Sequence, residues 1–503
     1  MNGDATLHKR IAALLIIVTA GLVAARIANA ELLFEPSSPR KWPAVKPPAM
    51  PTFGSNDRSR WATVRALVDG DPKMNQPKGT YIIGYRDPQT KRDQGIIFED
   101  GWQSVDKVLH PEKLEFISSK PPLLSTLMAG LYWLLQLITG WTLEKNPFPV
   151  VRVLLFLVNW LPLLLYLFLF ARLAERFGKT DWGRLFVIAG ACFATFVTTF
   201  AITFNNHSIA TYCILFALYP TLKILDSEQR SLSPPWRWFL LAGFFASFAI
   251  CNELPAAAFA LALFVILLRW SPKKTLVFFL PAALVPLAAF ILTNVEAVGQ
   301  LRLAYSEFGG PWYEYEGSHW RYTPGEVKNG IDWAWTQEPR WQYAFHVLFG
   351  HHGLFSLTPI LLLAVCGMIR FTFADIRYWI FPQRQQEPPP GSENPEAGNT
   401  RLQSLLAVLT LVLTIVVVAF YLNQYRPNYG GWTCGLRWLM WLSPLWLLCM
   451  LPVADHLASC KWGRLLAYLM LGVSVFSANF AAANPWRHPW IYRLMEALGW
   501  QGY

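Results

Sequence analysis

The chain has 503 residues, 54% hydrophobic and only 15% charged, with a formal net charge of +11. Soluble domains carry about 25% charged residues, so the composition excludes an ordinary soluble globule and points to a polytopic membrane protein. The positive balance is read as Lys and Arg in cytoplasmic loops, because no basic-aromatic nucleic-acid module accompanies it.

The first apolar stretch, Ile11–Ala28, comes after Lys9 and Arg10 and is read as the first transmembrane helix of a segment 1–30. Ala28-Asn29-Ala30 also has the form of a leader cleavage site, and either reading exports the chain beyond Ala30. Residues 31–151 form an exported loop, Pro-rich early and charged later. It is expected to fold into short interfacial helices, including one from Leu123 to Leu137. Six spans then fill residues 152–293: Val153–Ala171, Leu185–Phe204, Ile209–Leu225, Trp238–Cys251, Leu254–Leu268 and Thr275–Thr293. A second exported loop, 294–353, is aromatic and acidic. Four more spans occupy 354–481: Leu354–Ile369, Leu405–Leu422, Trp438–Val453 and Leu465–Phe480. A cytoplasmic linker, 383–400, carries Pro388-Pro389-Pro390, and an exported tail covers 482–503.

The fold class expected is therefore all-α polytopic, with about 11 transmembrane helices and periplasmic interfacial helices. With the N-terminus inside, the inner loops carry Arg172, Arg176, Lys179 and Arg184, then Lys223, Arg230 and Arg237, then Arg269, Lys273 and Lys274. The short outer turns, Asn205–Ser208 and Asn252–Glu253, carry no Lys or Arg, which is the positive-inside pattern. Seven cysteines form neither a CxxC pair nor a His/Cys cluster, so no disulfide framework or thiolate metal site is indicated.

Polar groups at membrane depth are costly and mark sites or pathways, unless they merely decorate a wet loop. On the exported side the candidates are Asp57, Arg60, Lys120, Asn206, His207, Glu253, His351, His352, Arg426, Tyr429 and Arg437. Asn206 and Glu253 stand in very short turns between apolar helices, which favours function. His346, His351 and His352 lack the i, i+4 spacing of a helical metal pair. Substrate contact, a metal and a structural turn all stay open for them. Asn428-Tyr429-Gly430-Gly431-Trp432, flanked by Arg426 and Arg437, could stack on a sugar and meet a phosphate, or serve as an interfacial loop.

One order of motifs is more specific than any motif singly. After the first helix comes Asp57-Arg58-Ser59-Arg60-Trp61-Ala62, then Lys120-Pro121-Pro122-Leu123 opening a helix, then a span led by Arg152. Over about residues 8–225 this resembles the type C lipid-phosphate-dependent membrane glycosyltransferases, in particular the aminoarabinose transferase and protein O-mannosyltransferase relatives. Their segments read Asp-Glu-x-Arg-Tyr-Ala and Lys-Pro-Pro-Leu. The resemblance implies Asp57 as general base on an acceptor hydroxyl, and Arg60 and Lys120 as holders of the donor phosphate. It implies a polyprenyl tail in a groove between helices and direct attack with inversion. The chain departs from the family at Ser119, where an acidic residue is usual, and at Asn206, which stands where many members carry a second acidic residue. Asp57 acting alone and Asp57 assisted by Glu253 are both open. No metal ligand is assigned, and a divalent ion is left open as the one cofactor to consider.

The function expected is transfer of a sugar from a polyprenyl-phosphate donor to an acceptor hydroxyl at the periplasmic face of an inner membrane. The partners would be the lipid-linked sugar, an acceptor lipid, glycan or protein, and membrane lipids, with no nucleic acid. Two rivals stand beside it. A transporter or flippase would place polar groups at the midplane and show an inverted repeat; the sequence shows no repeat. A non-catalytic lipid-binding or assembly protein would keep the motifs without the chemistry.

Overall fold

The computed structural model describes residues 4–31, 49–229, 232–380 and 395–500. Each of the eleven apolar runs is helical for most of its length, and the chain is an all-α polytopic membrane protein. Among the described residues, nine helices are long and apolar enough to cross a membrane. Eight of them coincide with expected spans. Three expected spans are shorter than the rest: Trp236–Asn252, Leu254–Trp270 and Leu361–Arg370. The expected linker lies, up to residue 394, outside the described residues.

The ninth candidate is helix α3, Pro122–Thr139, expected from the charge pattern to lie at the interface. Pro122 occupies the first turn, where a missing N–H leaves nothing unsatisfied. Gly140 ends the helix at φ +69°, the left-handed conformation that glycine adopts without a Cβ clash. One stripe, Leu123, Leu124, Ser125, Met128, Ala129 and Tyr132, is buried. The opposite face exposes Leu127, Leu131, Trp133, Leu137 and Ile138. An apolar outer face suits contact with lipid, whether the helix crosses the bilayer or lies along its surface.

The described part of segment 31–151, residues 49–151, departs from expectation. Helix α1 (Asp4–Ala28) and helix α2 (Ser55–Val68) are followed not by a run of short helices but by a small antiparallel sheet. Strands β1 (Ile82–Arg86), β2 (Asp93–Gln94), β3 (Lys107–Leu109) and β4 (Glu115–Ser118) pair in the order β2-β1-β4-β3. The physical reason is visible in β4: Phe116 and Ile117 are both buried but in different clusters, Phe116 against Phe98 and Tyr315 and Ile117 with Trp312 and Tyr313. A strand covered on both faces reads as a continuous apolar pair, without the alternation that flags a half-exposed strand. Gly95 holds φ +112°, and a Cβ there would strike the backbone of Gly84. The sheet edge closes only because that position is glycine.

Two features aim the polar residues. The register Lys107↔Ser118 brings Asp106 opposite Ser119, whose N–H donates to the Asp106 carbonyl at 3.2 Å. Ser59 on α2 locks onto the same end, donating to the Asp106 carbonyl at 2.5 Å and meeting Ser118 Oγ at 2.6 Å. The long helix Pro147–Phe177 contains a π turn at Phe156–Trp160. It carries the fully buried Asn159, whose amide donates to the carbonyls of Ala201 and Thr203 at 2.8 and 2.7 Å. Asn205 braces the same turn from within, donating to Phe200 and Thr203 and accepting from Ser208 N–H. Irregular backbone inside a bundle must have its polar groups answered by the protein, and these amides answer them. The helix Asn206–Gln229 therefore starts from a fixed point.

Candidate active site

Three cations and two carboxylates gather where α2, the end of the sheet, the 201–207 turn and the 437 segment meet. Arg60 is 1% exposed. It donates to the Asn56 carbonyl at 3.0 Å, to the Asn56 amide oxygen, and to Asn206 Oδ1 at 2.5 Å. The other end of Asn206 donates to the Asn252 carbonyl at 2.7 Å and to Glu253 Oε1 at 2.8 Å. Glu253 Oε1 also meets His207 Nδ1. Arg437 Nε donates to His207 Nε2 at 3.0 Å, and its Nη1 donates to the Gly430 carbonyl at 2.5 Å. A guanidinium can only donate, so His207 Nε2 is the acceptor and its proton sits on Nδ1, pointing at Glu253. Lys120 pairs with Asp106 at 2.9 Å, both part-exposed.

Burial pushes the Glu253 carboxyl up to about 8, against the pull of Arg437 and Arg60. Burial also opposes ionisation of Asp106, but Lys120, Arg437 and Arg60 outweigh it and hold that carboxyl below the usual range. Burial lowers Arg60 to about 10 and lowers Lys120, whose pairing with Asp106 opposes the drop. Asp57, whose charge Arg60 also feels, is a third carboxylate: with all three ionised the charges balance, and a proton on Glu253 leaves one positive charge. A buried excess of positive charge is a place for a phosphate.

Asp57 differs from what the motif implies. It is 1% exposed, and both oxygens are taken by backbone: Oδ2 accepts from Phe53 N–H and Oδ1 from Phe204 N–H, each at 3.0 Å. Burial raises its carboxyl to about 6, against those two donors and the charges of Arg58 and Arg60. The side chain ties the start of α2 to the 201–205 turn. Asp106, which no sequence motif singles out, takes the position beside Lys120. Its only sequence signal was a two-strand pairing across Lys107–Leu109 and Glu115–Ser118, hidden because that loop reads as helical.

The remaining candidates lie elsewhere. Arg426 pairs with Glu314 at 3.1 Å and sits against the rings of Phe308, Tyr322, Trp335 and Tyr425. His351, His352 and Tyr429 join His346, His488 and Tyr492 in a separate aromatic chamber. Burial holds the His346, His351 and His488 imidazoles below their usual pKa and His352 well below it. Tyr429 also bounds the loop whose next residue, Gly430, receives Arg437.

No family model matches the chain, and no curated protein does. Among solved structures it is similar to the crystal structure of an Archaeoglobus fulgidus oligosaccharyltransferase in complex with Zn and sulfate. The identity is 12%, over 97% of this chain and 55% of that one, with a TM-score of 0.44. It is similar also to the archaeal oligosaccharyltransferase AglB from Archaeoglobus fulgidus in complex with an inhibitory peptide and a dolichol-phosphate. There the identity is 13%, over 96% and 57% of the two chains, with a TM-score of 0.42. The chain thus spans little more than half the length of these proteins.

Proposed function

We propose that this protein is a membrane glycosyltransferase that takes a sugar from a polyprenyl-phosphate donor and passes it to an acceptor hydroxyl at the exported face. The observation that carries this reading is the convergence of Arg60, Lys120 and Arg437 around Asp106, Asn206, His207 and Glu253. In this reading the three cations hold the donor phosphate, and their charge-assisted hydrogen bonds strengthen as the leaving oxygen gains charge. Asp106 orients Lys120. The acceptor oxygen forms a bond to the anomeric carbon while the bond to the phosphate oxygen breaks, its electron pair leaving with the phosphate. The acceptor proton passes to Glu253, whose raised affinity for a proton suits a general base near neutral pH. Attack opposite to the leaving group inverts the anomeric centre. Asp57 is assigned a positioning role, because its oxygens are already committed to backbone.

A lipid-binding protein would hold the same phosphate on these cations without transferring a sugar. The two readings separate in proteoliposomes loaded with polyprenyl-phosphate sugars. Transfer should be seen with one of them. Lys120→Ala should weaken donor binding by about 10- to 100-fold, in line with loss of a charged hydrogen bond worth about 1.5–3 kcal/mol. Glu253→Gln should cut turnover by at least about 100-fold, the scale of general-base catalysis, with donor binding retained. Tight binding of polyprenyl phosphate with no turnover from any donor would instead favour the binding protein.

A further inference from the structure

The 428–437 loop delivers Arg437 on one side and closes the imidazole chamber on the other. Helix Arg340–Leu348 carries His346, and the tight turn after it carries His351 and His352. The His346 and His351 rings stack at 4.0 Å. A Cβ on Gly350 would run into the His346 ring, so the ring keeps its seat only beside glycine. Glu338 lies just before this helix. Its Oε2 accepts from the Tyr429 hydroxyl at 2.5 Å. Its Oε1 is buried with no hydrogen-bond partner among the described residues, and so is Nδ1 of His346. One donor atom from each of Glu338, His346 and His351 lies within 4.8 Å of the other two.

A buried polar atom without a partner costs about 1–3 kcal/mol, more when it belongs to a charged group. A carboxylate with two imidazoles is a donor set that zinc-class ions accept, and three protein ligands leave a fourth position for water. We propose that Glu338, His346 and His351 bind one divalent transition-metal ion, which fastens the helix Arg340–Leu348 and its turn to the 428–437 loop. The link runs from Glu338 through the Tyr429 hydroxyl. His352, whose Nδ1 meets His351 Nδ1 at 2.5 Å and whose ring stacks on Tyr429 at 4.9 Å, orients His351 from behind. This site is separate from the cation cluster and stands whether or not the transfer reaction does.

The full chain, purified in detergent and treated with chelator, is titrated with Co²⁺ and followed by visible absorption. One saturable set of four-coordinate Co²⁺ bands is expected, abolished by added Zn²⁺. Loss of a direct ligand should weaken binding by more than about 100-fold, beyond the 10- to 100-fold seen for outer partners. His346→Asn and Glu338→Gln should each do so, while His319→Asn, which pairs with Asp332 outside the group, should not. Hydrogen exchange on the wild-type protein gives a second readout: Zn²⁺ should slow exchange across residues 428–437. Absence of Co²⁺ bands in the wild type overturns the proposal, whatever the variants do. So does equal Co²⁺ affinity in wild type and both ligand variants.

Discussion

Asp57 and Glu253 are both buried carboxyls, yet their neighbours give them different work. Asp57 accepts two backbone N–H groups, and Asn at that position can offer only one oxygen, so one donor would face an NH2 group. Asp57→Asn should therefore lower stability by about 1–3 kcal/mol, the cost of a buried donor left unanswered, as measured by chemical denaturation in detergent. A variant of wild-type stability with no turnover would instead make Asp57 the base. Glu253 should show itself in the pH dependence. A base must be ionised to act, so transfer should rise with pH through about 8 and fall below it, and Glu253→Gln should remove that limb. Asn206, His207 and Glu253 were legible as polar residues in short turns between apolar helices, and Arg60 and Lys120 through the motifs that carry them. Asp106 was not, because its neighbour Lys120 becomes a neighbour only through strand pairing.

At the scale of elements, the cluster depends on parts that never touch it. The π turn at Phe156–Trp160 places Asn159 against the 201–205 turn, and that turn launches Asn206 and His207. π turns inside α-helices recur at functional sites because they re-aim one residue. Replacing Asn159 by Leu keeps the volume and removes two hydrogen bonds to buried carbonyls. It should lower stability by about 1–3 kcal/mol and weaken binding of polyprenyl phosphate, read by calorimetry, although Asn159 meets no residue of the cluster directly. Unchanged phosphate affinity would separate the turn from the site. The small sheet acts by direct contact instead: its register sets Asp106 against Ser119, and Ser59 fastens α2 to it.

For the whole molecule, the charge pattern implies an orientation. If the loops rich in Lys and Arg face the cytoplasm, the loop between the helices ending at Leu457 and beginning at Lys461 is cytoplasmic too. Cys460 in that loop is exposed, as is Cys366 on the helix Leu361–Ile380, whereas Cys192, Cys213, Cys251, Cys434 and Cys449 are buried. A membrane-impermeant thiol reagent should leave Cys460 unmodified in intact spheroplasts and modify it after permeabilisation, with mass spectrometry locating the adduct. Labelling before permeabilisation would reverse the orientation and put the cation cluster on the cytoplasmic side.

The helical, membrane-spanning architecture was written in the sequence, because long apolar runs admit few structures in a bilayer and each must satisfy its own backbone. The candidate residues were written there too, since a Glu or Asn in a short turn between apolar helices stands out, and Arg60 and Lys120 stand in an ordered pair of motifs. Which partners those residues meet was decided only in three dimensions. Asp57 became a brace when its oxygens met Phe53 and Phe204, and Arg437, more than two hundred residues along the chain from His207, completed the cluster by donating to its ring. A hydrogen bond needs two partners at a set distance and angle, and that pairing across the chain is information no single stretch of sequence holds.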